Sequence, residues 1–288
     1  MRLLVFGGWG QLGSELAAAA GKSHDLIRPR HSEVDVSDRE AVERAVLDHR
    51  PDVVIDAAAF HKVELCEQDP EQAFRVNAFG GFNVARAAGG VGARVVFVST
   101  DYVFDGGNRI GYAEDAPVAP VNVYGASKVA GEWMVRLAAA NWLVIRGSGI
   151  FGRAGSSGKG GNFIETMLAK AAGGEPISVV DDQIFAPTSA SDMARRILLL
   201  LERGAPPGVY HAANAGSCSW YELARKTFEL AGVRADLSPR PSGEQPVRRP
   251  SFSVLLDTRS QELGLPPMRP WQEALRTYLE ERQARVGA

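Results

Sequence analysis

The sequence predicts an α/β protein in which a doubly wound parallel sheet is followed by a smaller lobe of mixed α/β structure. Two observations predict the sheet: short runs that are apolar on both faces recur along the first half of the chain, and helix-like segments separate them. A third observation predicts the lobe, because after Gly147 the regular alternation of strand and helix is lost.

Five apolar runs are predicted as strands of the sheet, at residues 3–6, 25–27, 53–59, 94–100 and 143–146. The segments between them have the apolar spacing of helices, at residues 11–20, 38–49, 70–88 and 123–140. Consecutive strands of such a sheet are parallel, so their carboxyl ends share one edge. Open α/β sheets bind their ligands at that edge.

The second half of the chain predicts helices at residues 162–172, 190–202, 220–231 and 270–285, and strands at 177–180 and 208–211. Residues 238–253 are predicted to be irregular, and the Gly- and Ser-rich run 154–161 to be a loop, either a lid or an ordinary surface loop. The spacing of Trp220, Tyr221 and Phe228 is helical, and we expect these aromatic residues to pack in a core.

The chain is predicted to divide into two lobes. Residues 1–147 form the first lobe, to which residues 184–212 are expected to return. Residues 148–183 and 213–288 form the second lobe, which is expected to bind the substrate.

Composition excludes several classes of protein. The chain has 288 residues and a formal net charge of −2, which gives it no general attraction to nucleic acid or acidic membranes. Two cysteines cannot form a disulfide framework, and no apolar run approaches the roughly 20 residues of a membrane span. Because the first residues also lack the apolar region of a signal peptide, we expect a cytoplasmic protein.

A glycine-rich turn joins the first predicted strand to the first predicted helix. Gly7, Gly10 and Gly13 have the spacing G-x-x-G-x-x-G, with Gln11 and Leu12 between them. Glycines at this place allow the backbone to approach a pyrophosphate, and the N-terminus of the helix favours its negative charge. The sequence therefore predicts a Rossmann-type dinucleotide-binding domain with Gly7, Gly10, Gln11 and Leu12 in contact with the cofactor.

The residues after the second strand bear on which dinucleotide is bound. An acidic residue is usual there in NAD-binding proteins, because it binds the ribose 2′-hydroxyl. Here Arg28 and Arg30 follow the strand, and cations suit a 2′-phosphate, although a solvated basic loop is the alternative. NADPH is the predicted cofactor, with NADH as the alternative. Asp35 and Val36 are expected on the adenine side, where Asp35 is equally explained by the start of a helix.

Three residues have the chemistry of a carbonyl-reducing site. Tyr124 and Lys128 lie one turn apart on a predicted helix, so the ammonium is expected to lower the pKa of the phenol. A tyrosine so tuned exchanges a proton with an alcohol or a ketone. Thr100 ends the fourth predicted strand, where its hydroxyl can bind the same substrate oxygen. We predict Thr100, Tyr124 and Lys128 as catalytic residues and no metal site.

These residues carry a family resemblance that extends over nearly the whole chain. The chain resembles the dTDP-4-dehydrorhamnose reductase family of extended short-chain dehydrogenases/reductases. The matching segments are 7–13, 56–59, 76–78, 99–106, 124–128, 162–163, 186–188, 219–221 and 249–250.

The resemblance implies hydride transfer from NADPH to C4 of a dTDP-linked 4-keto-6-deoxy sugar, giving dTDP-L-rhamnose from dTDP-4-dehydrorhamnose. It implies that Tyr124 donates the proton, Lys128 holds the nicotinamide ribose and Thr100 orients the keto oxygen. Ala57, Ala58 and Ala59 are expected to line the cofactor. The residues expected at the substrate are Thr100, Tyr102, Phe104, Asn162 and Arg249. A homodimer is the oligomer considered.

One departure from the family pattern affects the sugar side. The family usually has a Trp that packs on the sugar after the fifth strand, and Gly149 stands there in this chain. Two alternatives remain, and this departure favours the first of them. One is a reductase or epimerase of another nucleotide sugar, and the other is a non-catalytic regulatory subunit similar to the beta subunit of methionine adenosyltransferase.

Overall fold

The structure is a computed structural model that describes residues 1–154, 161–244 and 246–286. Most of the run 154–161, with the lid or loop predicted for it, lies outside these residues. The strands, in chain order, are β1 (Arg2–Phe6), β2 (Asp25–Ile27), β3 (Val53–Asp56), β4 (Arg94–Thr100), β5 (Trp142–Gly147), β6 (Ile150–Phe151), β7 (Ile177–Val180), β8 (Ile184–Phe185), β9 (Thr188–Ser189), β10 (Gly208–His211), β11 (Cys218–Ser219) and β12 (Leu237–Arg240).

Helices fill most of the intervals between these strands. In chain order they are α1 (Gln11–Ala20), α2 (Arg39–His49), α3 (Val63–Gln68), α4 (Pro70–Phe74), α5 (Gly81–Gly90), α6 (Val123–Ala138), α7 (Phe163–Ala172), α8 (Ala190–Glu202), α9 (Trp220–Ala231), α10 (Arg259–Glu262) and α11 (Trp271–Val286). A π-helical segment, Arg75–Gly80, joins α4 to α5, and a 3₁₀ turn, Asp101–Val103, follows β4.

The predicted fold class is confirmed. Six of the described strands form one parallel sheet in the order β10-β5-β4-β3-β1-β2. The order reverses beside β1, so the carboxyl ends of β1, β3, β4 and β5 surround one crevice. Crevices of this kind are the usual ligand sites of doubly wound sheets.

A hydrophobic core lies on each face of this sheet. Residues of α1 and α8 cover one face, where Leu16 and Ile197 are fully buried. Residues of α2, α5 and α6 cover the other face around Phe97. Both faces of β1, β3 and β4 are therefore buried, which explains why these strands are uninterrupted apolar runs.

A third core belongs to the C-terminal part of the chain, where α7, α9 and α11 pack with β7 and β8. Residues 237–240, which overlap the segment predicted to be irregular, form β12 and pair in parallel with β7. Pro239 is compatible with this pairing because β12 is an edge strand, whose outer backbone groups need no partner. The division into two lobes stays a prediction, which the place of β10 in the main sheet supports.

Two further differences from the predicted elements affect the crevice. The third strand ends at Asp56, so Ala57–Ala59 leave the sheet as a loop. The helix predicted over 70–88 contains the π segment, and buried Asn77 in that segment donates hydrogen bonds to the Phe60 carbonyl and the Ser127 hydroxyl, both at 2.9 Å. Asn77 therefore ties the loop after β3 to α6. None of the helices in the described ranges is long and apolar enough to span a membrane.

Candidate active site

A cavity of about 1340 Å³ lies at the carboxyl ends of the strands. It brings together most of the residues that the sequence predicts at a site. Those that line it are Gly7, Gly10, Gln11, Leu12, Asp35, Val36, Ala57, Ala58, Ala59, Thr100, Tyr102, Tyr124, Lys128, Asn162 and Arg249. Arg28, Arg30 and Phe104 are not among the lining residues.

The glycine turn forms one wall of the cavity and has no room for side chains. Gly7 has a φ of 71°, and a Cβ atom there would lie 2.6 Å from the carbonyl carbon of Ala57. The N–H of Gly10 donates to the Gly7 carbonyl at 3.0 Å, and α1 begins directly after Gly10, without a side-chain cap. This wall fits a pyrophosphate, because close backbone approach and the uncapped N-terminus of a helix are what such an anion requires.

Arg28 and Arg30 lie on the rim beside this turn, outside the cavity lining. Their guanidinium carbons lie 3.8 and 4.3 Å from the ring centroid of Trp9, respectively. The Trp9 indole N–H donates to the Arg28 carbonyl at 3.0 Å, and Arg28 Nη1 donates to the Gly8 carbonyl at 3.3 Å. The two cations are therefore stacked on a half-exposed aromatic ring next to the turn.

Thr100 and Tyr124 face each other across the ends of β4 and α6. A hydrogen bond with Thr100 lowers the pKa of Tyr124, but burial outweighs it and the net effect is a raised pKa. Nearby Asp101 also raises the pKa of Tyr124, so the net shift is opposite to the lowering expected from the neighbouring ammonium. The Tyr124 phenol therefore stays protonated at neutral pH, which is the state that a proton donor requires.

Lys128 is buried in the floor of the cavity. Its ammonium lies 4.0 Å from the ring centroid of Phe97, and within the described part of the chain its Nζ has no hydrogen-bond partner. Burial lowers the pKa of Lys128 to about 8, against the opposite effects of Asp56 and Glu132. Burial raises the pKa of Asp56 to about 6. An unpartnered buried ammonium beside a cavity is suited to a ligand with hydroxyl groups.

A buried ion pair supports the helix that carries Tyr124 and Lys128. Glu132, one turn beyond Lys128, accepts hydrogen bonds from Arg146 at 2.7 and 2.9 Å and from the Ser99 hydroxyl at 2.6 Å. Ser99 belongs to β4 and Arg146 to β5. The pair therefore holds α6 against the two strands that end at the cavity.

Asp101 is a functional candidate that the sequence did not single out. Its buried carboxylate accepts hydrogen bonds from the hydroxyls of Ser253 at 2.6 Å, Ser148 at 2.8 Å and Thr100 at 3.1 Å. Burial raises the pKa of Asp101 although these hydrogen bonds oppose the shift. Its position directly after the fourth strand is the feature of the sequence that could have identified it. Two of its three partners, Ser148 and Ser253, however, come from distant segments.

The structure places the predicted substrate residues in different environments. Arg249 pairs with Glu64 and forms a hydrogen bond with Tyr102, so both predicted residues stand together at the cavity. Asn162 lines the cavity, but it caps α7 by accepting from the Glu165 N–H at 3.1 Å while its amide donates to Gly152 and Tyr278, each at 3.0 Å. Its side chain is therefore engaged in structure.

The assignment of Phe104 to the substrate is wrong in this structure. The Phe104 ring is fully buried and stacks on Tyr112, with 4.1 Å between the ring centroids. The 3₁₀ turn after β4 directs it into a separate hydrophobic cluster. Trp220 packs against the third core, as expected, and it also lines the cavity together with Phe163 and Phe185.

The fold and the site together define an NAD(P)H-dependent oxidoreductase. A glycine cradle, a buried lysine to which no described residue is hydrogen-bonded, and a protonated tyrosine hydrogen-bonded to a threonine lie around one cavity. A family model described as the RmlD substrate binding domain matches residues 1–284. The chain belongs to this family, as the resemblance predicted.

Relatives and solved structures agree with this assignment. The chain is 40% identical over 280 residues to the dTDP-4-dehydrorhamnose reductase of Mycolicibacterium smegmatis, covering 95% of this chain and 84% of that protein. It is 38% identical over 282 residues to the dTDP-4-keto-6-deoxy-D-glucose reductase of Streptomyces niveus, covering 95% of each. The structure matches that of a Bacillus anthracis dTDP-4-dehydrorhamnose reductase in complex with NADP, with a TM-score of 0.93, 35% identity, and coverage of 97% of this chain and 99% of that one.

Proposed function

We propose that this protein reduces the C4 keto group of dTDP-4-dehydrorhamnose to give dTDP-L-rhamnose, with NADPH as the reductant. The observation that carries the proposal is the meeting of Thr100, Tyr124 and Lys128 at the cavity whose other wall is the glycine turn. Two relatives named as reductases of dTDP-linked keto sugars support the substrate class.

The cofactor is NADPH, as in the Bacillus anthracis relative solved with NADP. The glycine turn at Gly7 and Gly10 would hold its pyrophosphate, and Arg28 and Arg30 its 2′-phosphate. Lys128 would donate to the hydroxyls of the nicotinamide ribose, which would satisfy its unpartnered ammonium. Ala57–Ala59 would line the same wall. When bound, the reduced nicotinamide supplies a hydride for the substrate carbon.

Thr100 at the end of β4 and Tyr124 at the start of α6 would bind the keto oxygen and transfer the proton to it. The keto oxygen would accept a hydrogen bond from Tyr124 and, once the Thr100 hydroxyl turns from Asp101 to the substrate, a second one from Thr100. These hydrogen bonds would polarise the carbonyl and orient it. As C4 receives the hydride, the oxygen gains negative charge and takes the phenolic proton of Tyr124, so that the ketone becomes an alcohol. Lys128, one turn further along α6, would stabilise the resulting phenolate through the positive charge of its ammonium.

On the nucleotide side, Arg249 would bind the diphosphate. A guanidinium can donate two parallel hydrogen bonds to a phosphate, and Arg249 lines the cavity beside Tyr102. Its pairing with Glu64 keeps the guanidinium in place until the anion arrives.

The test is the consumption of NADPH with dTDP-4-dehydrorhamnose, followed by absorbance, with the product identified by NMR. Tyr124→Phe should lower kcat by about a thousandfold, because the proton donor is lost. The Kd for NADPH should stay within about twofold, since Tyr124 lies outside the glycine cradle. Tyr221→Phe is the matched control, because Tyr221 does not line the cavity. Unchanged turnover in Tyr124→Phe would show that the catalytic assignment is wrong.

A second candidate is the reduction of another 4-keto nucleotide sugar. Gly149 favours it, because a residue at the sugar side differs from the family pattern, and the Streptomyces niveus relative carries the name of a different reductase. A panel of keto-sugar nucleotides, each with NADPH and NADH, separates the candidates by kcat/KM. Interconversion of sugars without net loss of NADPH would instead indicate an epimerase. The homodimer, the cytoplasmic location and the role in dTDP-rhamnose biosynthesis stay predictions, as do the individual site assignments.

A further inference from the structure

An aromatic ring fills the space above Gly149. A Cβ atom built on Gly149 would lie 2.2 Å from the Cε2 atom of Phe185, and the φ of Gly149 is 49°. Phe185 belongs to β8, which pairs with β11 and brings the ring into this position. A residue with a side chain at 149 and the ring of Phe185 are therefore mutually exclusive in this arrangement.

The same ring is stacked on a second aromatic residue. The centroids of Phe185 and Trp220 lie 4.0 Å apart with an interplanar angle of 29°, and those of Phe163 and Trp220 lie 4.8 Å apart at 58°. Phe185 is 4% exposed, whereas Trp220 is only partly buried. All three residues line the cavity. Phe185 thus acts as a support, and Trp220 presents aromatic surface to the cavity.

A short chain of hydrogen bonds connects this aromatic wall to the reacting groups. Ser148 precedes Gly149, and its hydroxyl donates to Asp101, which also accepts from Thr100. Two side chains, Ser148 and Asp101, therefore link the backbone under Phe185 to Thr100, whose hydroxyl is proposed to orient the keto oxygen. The sugar of a nucleotide sugar bound for reduction at Thr100 and Tyr124 would lie next to this wall.

We propose that Trp220, held in place by Phe185 over Gly149, is the surface on which the sugar ring of the substrate packs. This inference rests on the proposed function and adds the residues that recognise the sugar. A 6-deoxy sugar has an apolar methyl group and C–H faces, which an aromatic ring accommodates without leaving polar groups unpaired. Trp220 is the contact residue, and Phe185 is a positioning residue.

The test compares the binding of dTDP-L-rhamnose with that of dTDP by calorimetry, in the presence of NADP. Trp220→Leu should weaken the binding of dTDP-L-rhamnose about tenfold, because an aromatic contact contributes roughly this much. Phe185→Leu should weaken it about threefold, because the support is lost but the contact ring remains. The affinity for dTDP should stay within about twofold in both variants, since dTDP has no sugar at this wall.

Two further variants separate sugar binding from stability. Trp220→Phe keeps an aromatic face and should retain most of the affinity for dTDP-L-rhamnose. Phe228→Leu removes a buried ring from the same helix and the same core but away from the cavity, so it should lower the melting temperature without changing either affinity. An equal loss of affinity for dTDP and dTDP-L-rhamnose in Trp220→Leu, or no loss of either, would overturn the inference.

The binding measurement does not depend on turnover, so the two proposals fail separately. If the sugar contributes affinity through Trp220 but the wild-type protein consumes no NADPH, the proposed reaction is wrong and the aromatic wall stands. If NADPH is consumed with dTDP-4-dehydrorhamnose but Trp220→Leu leaves the preference for dTDP-L-rhamnose over dTDP unchanged, the aromatic wall is wrong and the reaction stands.

Discussion

The two halves of the cavity are lined by different parts of the residues, one mainly by backbone and the other by aromatic side chains. The glycine half, formed by residues 7–12 and 57–59, presents mainly backbone, and its fit depends on the absence of side chains. The aromatic half, formed by Gly149, Phe185 and Trp220, presents two side chains, one from β8 and one from α9, that pack over the glycine. Backbone can move only together with its strand or helix, whereas a side chain can change its rotamer.

This difference determines how each half tolerates change. The glycine half is suited to the parts that every dinucleotide shares, because a pyrophosphate has the same shape in each. The aromatic half is suited to a variable sugar, because single substitutions there alter the wall without altering the sheet. We therefore expect substitutions in the glycine half to have large effects on cofactor binding, and substitutions in the aromatic half to have small effects confined to the sugar.

The largest effect is expected from Gly7→Ala. The added methyl group would lie 2.6 Å from the backbone of Ala57, and alanine is also disfavoured at a φ of 71°. We expect the free energy of unfolding to fall by about 3 kcal/mol and the affinity for NADPH to fall by more than about a hundredfold. Thermal unfolding and fluorescence titration with NADPH measure the two effects.

Gly90→Ala is the control for this substitution. Gly90 ends α5, and a Cβ atom there would have no atom of the described residues within 4 Å. Its stability should be unchanged or slightly higher, because alanine favours helix by up to about 1 kcal/mol. If Gly7→Ala behaved like Gly90→Ala, the close fit of the glycine half would be refuted.

The next effect concerns the pH dependence of the step at Lys128. Its pKa of about 8 means that the free enzyme loses the ammonium as the pH rises through 8. We expect kcat/KM for NADPH to fall by about tenfold per pH unit above that value, because only the charged ammonium makes charge-assisted hydrogen bonds to the ribose and stabilises the Tyr124 phenolate. Tyr124 does not cause this alkaline limb of the pH profile, since its pKa is raised to well above 8.

Lys128→Arg tests which group gives this limb. A guanidinium stays protonated throughout the accessible range, so the alkaline limb should move to higher pH even if the overall rate is reduced. The stability of the folded protein also depends on the protonation of Lys128. Below pH 8 the buried positive charge lowers the free energy of unfolding. This destabilisation disappears as the pH rises from 8 to 10.5, the pKa of the lysine in the unfolded chain. An unchanged limb in Lys128→Arg would assign the titration to another residue.

The sequence predicted the glycine half better than the aromatic half for a physical reason. One contiguous segment contains Gly7 and Gly10, and its spacing alone determines the turn. Likewise, the spacing of Tyr124 and Lys128 alone determines the helix face that they share. Asp101 escaped notice because its partner Ser253 lies 152 residues away in the chain. Pairing across such a distance depends on the whole fold, which no local pattern encodes.

Side-chain direction was the other feature that local pattern did not determine. Phe104 follows a predicted strand end as Tyr102 does, yet one ring points to the core and the other to the cavity. The 3₁₀ turn over Asp101–Val103 causes this difference, because it rotates successive side chains by about a third of a turn. Trp220 packs against a core, as expected, but its place at the cavity also depends on the pairing of β8 with β11, two strands that lie too far apart in the chain for any local pattern to relate them.

A smaller effect is expected from the rim of the glycine half. Arg28→Ala combined with Arg30→Ala should reduce the preference for NADPH over NADH by about tenfold, mainly through weaker binding of NADPH. The binding of NADH should change little, because it lacks the 2′-phosphate. The ratio of the two dissociation constants, measured at two salt concentrations, checks this expectation. Arg39→Ala, an exposed arginine on α2, is the matched control. Equal loss of both cofactors would mean that the arginines support the turn itself through Trp9 and Gly8.

The smallest and most local effect is expected from Gly149→Ala, which repeats the glycine-to-alanine change in the aromatic half. Here the methyl group meets the ring of Phe185, which can tilt away, although a φ of 49° still disfavours alanine. The free energy of unfolding should fall by about 1 kcal/mol, and KM for the keto-sugar nucleotide should rise about threefold as the stack on Trp220 is displaced. The Kd for NADPH should be unchanged. If Gly149→Ala weakened NADPH binding as strongly as sugar binding, the two halves would be one rigid unit.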